Sequence, residues 1–313
     1  MTAAHIGLDI GGTGSRWVAC DETGAVLARG QTAGATGHVF NPSEQARLAA
    51  ALQTIASSLG EQHLTAKTLT AGITGYGSAA GEEVKALAHT ALGLSVPDIV
   101  LADDIVLAYA ANFAPGEGHV IAAGTGSIGV HVTAGGELIR VGGRGILIDD
   151  AGSGSWIALQ ALDHMYRVLD HSGSFAGVQH LADALFADIG GASWSDVRQF
   201  VYGSDRGRIG TLSLAVARAA HAGDVAALSI LRSAGAELAQ LAKALSARVG
   251  TTALAFTGGV IKLHPVILDE IIRRLPDAEI QSATADAALT AARLHTGRNG
   301  AWAKLLPLVA TRA

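Results

Sequence analysis

The segment Asp9-Ile10-Gly11-Gly12-Thr13-Gly14-Ser15 places a carboxylate beside a run of glycines, a pairing that can hold a polyphosphate and its metal ion. Glycine adopts the backbone angles of tight turns and lets N–H groups approach an anion closely. Asp9, at the end of a strand, would then hold Mg²⁺ through water, because Mg²⁺ keeps several of its waters beside carboxylates. The flanking residues narrow the reading. Apolar runs predict strands over 5–10 and 15–20, so the glycines join strand to strand. A dinucleotide fingerprint needs a helix directly after its glycines, and no GxxxxGK[ST] string occurs. A second hairpin of this kind, Gly124-Thr125-Gly126-Ser127, follows the apolar run 120–123, and a glycine pair, Gly258-Gly259, follows a third such run at 254–257. Two hydroxyl-bearing glycine turns can close on a polyphosphate from both sides, and the glycine pair either lets a nucleotide base or sugar come close or serves plain strand-to-helix packing. Each turn alone also reads as an ordinary tight hairpin; the duplication argues against that.

Other residue types add acid–base chemistry. Asp103 and Asp104 stand where an apolar run, 98–102, passes into a helical pattern. A carboxylate there can accept a proton from an attacking hydroxyl, or it can simply cap the helix. Asp104 reads as a first-turn charge.

The elements that must position these residues follow from periodicity. Further strands are expected over 25–31 and 69–74, and helices from Asn41 and over 82–92. Asn41-Pro42-Ser43-Glu44 supplies an N-cap, a proline at the first helical position and an acidic third one. The pattern then restarts: strand-like runs at 119–123, 128–132 and 137–141, helices over 155–169, 178–188, 212–221 and 224–249, a strand at 254–256 and helices over 260–274 and 286–294. Each half opens with a glycine-linked meander and continues into strand–helix units, a repetition of topology. The expectation is an α/β protein of two domains with a cleft between them, the usual home of a ligand site.

Composition excludes other classes. The chain has 313 residues, 22 basic and 27 acidic, with a net charge of −5, which supplies no basic face for nucleic acid. A hydrophobic fraction of 49% supports a large core. Cys20 is the only cysteine, so no internal disulfide or Cys-rich zinc site is available. No leader pattern and no bilayer-length apolar run is present, so a soluble, cytoplasmic protein with no membrane partner is expected.

Taken in order, the DxGGT hairpin, the aspartate after the fifth strand, the GTGS hairpin and the late TGG turn resemble the actin/hexokinase/heat-shock ATPase superfamily. The run Gly142-Gly143-Arg144-Gly145, then Asp150-Ala151-Gly152-Ser153-Gly154-Ser155-Trp156-Ile157, is similar to the GGxG…DEGSxxWI pattern of the BadF/BadG/BcrA/BcrD ATPase family, in its N-acetylglucosamine and glucosamine kinase branch. The similarity spans nearly the whole chain.

The resemblance implies two actin-like ATPase (ribonuclease H-like) domains, residues 1–114 with 286–313, and 115–285. It implies an ATP- and Mg²⁺-dependent kinase acting on the 6-hydroxyl of N-acetylglucosamine or glucosamine, working as a homodimer. It implies Asp103 as general base. It also implies sugar contacts at Asp150 (with Asp149 next door as the alternative carboxylate), Thr74, Gly75, Thr125, Asp103 and the loop of His38 and Asn41, where His38 stands in place of the branch's asparagine. Nucleotide contacts would come from residues 11–15, 124–127 and the pair Gly258-Gly259. Many relatives carry lysine where this chain has Gly14; Arg16 either substitutes for it or, as a strand residue, points to solvent. The alternative is an ATPase activator or switch of the same fold. Activators of 2-hydroxyacyl-CoA dehydratases hold an iron–sulfur cluster with two cysteines per subunit, which Cys20 alone does not supply.

Overall fold

The first strand, β1 (Thr2–Ile10), buries every residue from Ala4 to Leu8, the unbroken run expected of a central strand covered on both faces. This is a computed structural model describing residues 1–250, 253–282, 286–296 and 300–312. β1 pairs antiparallel with β2 (Gly14–Cys20), which pairs antiparallel with β3 (Val26–Ala33). Helix α1 (Pro42–Glu61) leads to β4 (Leu64–Ile73), parallel to β1. Helix α2 (Gly81–Leu92) leads to β5 (Ile99–Asp103), parallel to β4, and α3 (Asp104–Asn112) follows at once. The sheet order is β3-β2-β1-β4-β5.

The register decides where chemistry can sit. Ile10 lies opposite Ile73, and Ile73 opposite Asp103. The first glycine turn, the Thr74–Gly75 turn and the Asp103–Asp104 pair therefore leave the sheet side by side at the carboxyl ends of its parallel strands, where open α/β sheets place ligands.

The second sheet repeats this plan. β6 (His119–Ala123), β7 (Ser127–Val132) and β8 (Leu138–Gly142) are followed by helices α4 (Gly154–Ser172), α5 (Gln179–Ile189), α6 (Trp194–Gly203), α7 (Arg206–Gly210), α8 (Leu212–His221) and α9 (Val225–Val249). Then come β9 (Leu254–Thr257), α10 (Pro265–Arg274) and β10 (Ile280–Ser282). The order is β10-β9-β6-β7-β8, with β9 parallel to β6 and to β10. The two orders match strand for strand, so the repetition read from the sequence is a repetition of fold. Two compact units result: Met1–Gly118 with Val130–Ile139 and Thr284–Ala313, and His119–Gly129 with Arg140–Ala283.

The first unit is closed by α11 (Ala287–Arg293) and α12 (Gly300–Arg312). Asp286 caps α11 through the Leu289 N–H, and small residues let that helix come close to β1. A Cβ placed on Gly7 would lie 2.0 Å from the Ala288 carbonyl oxygen, so only glycine allows this approach. Helix α1 starts as its sequence predicts: the Asn41 side chain accepts from Ser43 N–H, and Pro42 occupies the first turn. Its buried Leu48, Leu52, Ile55 and Leu59 each contribute on the order of 2 kcal/mol of apolar burial.

Several expectations change in detail. The helix expected over 260–274 is a 3₁₀ turn, Val260–Lys262, followed by α10. His264 is extended because the residue before a proline avoids the helical region, and its ring nitrogen caps α10 by accepting from Val266 N–H. Helices α6, α7 and α12 and the short strand β10 were not expected from periodicity.

Candidate active site

In the first unit the glycine turn is held from behind. The Gly11 carbonyl accepts from Ala35 N–H at 3.1 Å, and Gly11 N–H bonds to the Gly14 carbonyl at 3.2 Å. The Gly12 carbonyl accepts from Arg47 at 3.2 Å. Among the described residues the N–H groups of Gly12 and Thr13 have no partner, and both residues are exposed. Two successive free N–H groups in a turn form an anion-binding concavity. The Ser15 hydroxyl is buried and donates to the Ala33 carbonyl.

Asp9 leads into this turn with its carboxyl pushed up to about 6. Burial is the first cause and the charge of Asp104 the second; Arg16 opposes them and Asp286 adds to them. Asp103 is buried and caps α3, accepting from Ile105 N–H at 3.3 Å. Asp104 receives a hydrogen bond from the Thr74 hydroxyl. Its carboxyl is pushed up to about 7, first by burial, then by its hydrogen bond to Asp103 and the Asp103 charge. The perturbed carboxyl is thus that of Asp104, the residue whose sequence position suggested only a first-turn charge.

The turn at Thr74 joins the same edge. Thr74 N–H bonds to the Ile10 carbonyl, extending the β1–β4 ladder beside Gly11. Gly75 has φ of 71°, and the His38 ring packs against it: a Cβ there would meet His38 Nε2 at 2.5 Å. Gly37 N–H bonds to the Thr74 carbonyl, and Asn41 N–H to the His38 carbonyl. The expected residues of this loop are therefore adjacent. Asn41, however, spends its side-chain oxygen on Ser43 N–H and the Ser43 hydroxyl.

In the second unit the turn at Gly124–Ser127 is tied to the segment that begins at Asp150. Gly154 N–H bonds to the Gly124 carbonyl, and Ser155 gives both its N–H and its hydroxyl to the Thr125 carbonyl. Ser127 N–H donates to Asp150 Oδ1 at 3.4 Å, and its hydroxyl to the Ala151 carbonyl. Thr125 and Gly126 keep unpartnered N–H groups among the described residues, as in the first turn. A Cβ on Gly126 would lie 2.9 Å from Asp150 Oδ1. Asp150 is 5% exposed, and its Oδ2 is buried with no hydrogen-bond partner among the described residues. Burial raises its pKa, opposed by the Ser127 N–H and then by the charge of Arg206. A desolvated acceptor left unsatisfied costs about 1–3 kcal/mol, which a donor on a ligand would recover. Gly258 has φ of 100° and presses on the Ala123 backbone, which brings the Gly258-Gly259 pair against the start of the second glycine turn.

Sequence reasoning missed Arg47 and the segment of α7. The Arg206 carbonyl accepts from Ser155 at 3.1 Å, and Gly210 lies against Ser155 and Thr125, so α7 packs on the second turn. Its five residues are too few to show a helical period. Among the described residues no group of three or more His, Cys, Asp or Glu forms a metal site, and no helix is long and apolar enough to cross a membrane.

The model of the BadF/BadG/BcrA/BcrD ATPase family matches residues 6–292. The chain is 29% identical over 204 residues to an N-acetylmuramic acid/N-acetylglucosamine kinase of Clostridium acetobutylicum, a match covering 62% of this chain and 65% of that protein, just under two thirds of the relative's length. A solved structure from Chromobacterium violaceum, named as a candidate N-acetylglucosamine kinase, shares 22% identity with a TM-score of 0.71 over 94% of this chain and 99% of that one. A ROK family glucokinase from Streptomyces griseus, solved with glucose and AMPPNP, shares 19% identity with a TM-score of 0.55 over 92% and 97%. These structural likenesses are of fold: α/β, with two actin-like, ribonuclease H-like domains.

Proposed function

The chain belongs to the BadF/BadG/BcrA/BcrD ATPase family, and on that premise we propose that it is an ATP-dependent kinase phosphorylating the 6-hydroxyl of an amino sugar, N-acetylglucosamine or glucosamine. The observation that carries the reading is Asp150. A switch ATPase needs phosphate turns and a site for water, but a second, buried, half-satisfied carboxylate beside the glycine turn suits the hydroxyl donors of a sugar. The named kinase among the relatives supports the same class.

Each unit contributes defined parts. The first supplies the N–H groups of Gly12 and Thr13 for phosphoryl oxygens, and the second those of Thr125 and Gly126, with the Gly258-Gly259 pair near the nucleotide. Asp9 fits a divalent cation: its carboxyl lies among acidic neighbours with only Arg16 opposing them, and a water-mediated ion would relieve that repulsion. Mg²⁺, when bound with ATP, neutralises charge on the transferring phosphoryl group.

The Asp103–Asp104 pair takes the proton of the sugar hydroxyl. Asp103 is occupied with the helix cap, so the general base expected there is assigned in this proposal to the pair, with Asp104 as the member that gains the proton. A base with a pKa near 7 suits a reaction at neutral pH. His38, Gly75 and Thr74 would line the sugar side of the first unit, and Asp150 with Thr125 that of the second. Homodimerisation and a cytoplasmic location belong to the same proposal.

ADP release with Mg²⁺-ATP, measured across N-acetylglucosamine, glucosamine, glucose and N-acetylmannosamine, tests this reading. Strong stimulation by one amino sugar supports it. A rate no sugar changes would remove the substrate class and favour the switch alternative.

A further inference from the structure

We propose that Arg47, on α1 and 35 residues from the turn it touches, is the positioning residue that presets the first glycine turn to receive phosphate; this rests on the kinase reading only in taking that turn as the phosphate site. The argument begins with the peptide plane. No peptide among the described residues is cis, and in a trans peptide the C=O and N–H point in opposite directions. The Gly11 carbonyl, which shares its plane with Gly12 N–H, is held by Ala35 N–H. The Gly12 carbonyl, which shares its plane with Thr13 N–H, is held by the Arg47 guanidinium. Fixing both carbonyls on the side of α1 and the 34–36 loop turns both N–H groups to the opposite side, and those are the two N–H groups of the turn without a partner among the described residues.

Arg47 is itself fixed. The nitrogen that reaches Gly12 also donates to the Gly34 carbonyl at 3.0 Å, while its other terminal nitrogen pairs with Glu44 at 2.8 Å. Glu44 in turn accepts from the Thr36 hydroxyl at 2.7 Å, which ties α1 to the loop that backs the turn. Those bonds, with that of Thr36 first, hold the Glu44 carboxyl below its ordinary range. Gly34 completes the fit: a Cβ there would lie 2.4 Å from the Gly12 oxygen. Lysine at position 47 would keep the charge but lose the planar fork that spans Gly12, Gly34 and Glu44.

The test is calorimetric binding of Mg²⁺-ADP to the wild-type chain, Arg47→Ala and Arg47→Lys, with KM for the sugar and a thermal melt on each. Arg47→Ala is expected to bind nucleotide about tenfold more weakly, the loss of one charge-assisted hydrogen bond. Arg47→Lys should fall between, KM for the sugar should stay within about threefold in both, and added guanidinium should restore part of the Arg47→Ala affinity. A merely structural arginine would lower the melting temperature without this split and without rescue. Nucleotide binding by the wild type with equal affinity in both variants would overturn the inference alone. A wild-type chain that binds no Mg²⁺-ADP would overturn the phosphate reading of the turn, and this inference with it.

Discussion

Replacing Asp9 with asparagine should make the ligand-free protein more stable at neutral pH while removing its response to Mg²⁺-nucleotide. Asp9 carries a carboxyl raised from 3.8 to about 6 by burial, then by Asp104. At ~1.36 kcal/mol per pH unit that rise is worth about 3 kcal/mol, the cost of holding the ionised group in the fold. The direction with pH follows from proton linkage. A raised carboxyl means that the folded state binds more protons than the unfolded state between pH 3.8 and about 6, so stability falls as pH rises through that window. The cost is absent below the lower value and complete above the higher one. Asp9→Asn should therefore gain up to about 3 kcal/mol at pH 8, progressively less as pH falls, and nothing near pH 4. Urea denaturation at pH 8, 6 and 4.5 measures this, and Mg²⁺-ADP should raise the midpoint of the wild type only. A variant no more stable than wild type at pH 8, or a gain unchanged across the three pH values, would refute the account of a carboxylate kept ionised for a cation.

Four further substitutions test the parts of the site and its framework. Asp104→Asn should lower kcat by about 10²–10⁴, the usual worth of a general base, whereas Asp103→Asn should retain the α3 cap and lose less; steady-state kinetics that show the larger loss at Asp103 would return the base to that residue. Asp150→Asn removes a charged acceptor and should raise KM for the sugar about 10- to 100-fold with KM for ATP unchanged, measured by varying each substrate in turn. Gly258→Ala should destabilise the fold by more than about 2 kcal/mol, because its φ of 100° strains an alanine and the new Cβ would lie 2.2 Å from the Ala123 oxygen; a thermal melt within 1 °C of wild type, against the several degrees expected, would contradict this.

What the sequence made legible was whatever local chemistry decides. The glycine turns, their flanking strands and the cap at Asn41 follow from residues in contact along the chain, and they lie where expected. The bond between Thr74 and Asp104 was not legible, because it depends on which carboxyl meets the end of β4, and Thr74 lies 30 residues away. Arg47 gave no signal either: within α1 it reads as one half of an ordinary i,i+3 pair with Glu44, and its bond to Gly12 exists only once β1, β2 and α1 are assembled. Helix α12 was hidden by Pro307 in its interior, which reads as a stop. Strand β10 has three residues and no period to detect. His38 was flagged for a sugar contact, and its packing on Gly75 depends on a turn conformation that residue types alone do not announce.

Incubation with Mg²⁺ and ATP labelled at the γ-phosphoryl, with and without N-acetylglucosamine or glucosamine, tests the central claim most directly. The account predicts that the label moves to the sugar as an acid-stable 6-phosphate ester and that little is released as inorganic phosphate. Label found only in inorganic phosphate, at a rate indifferent to either sugar, would contradict it.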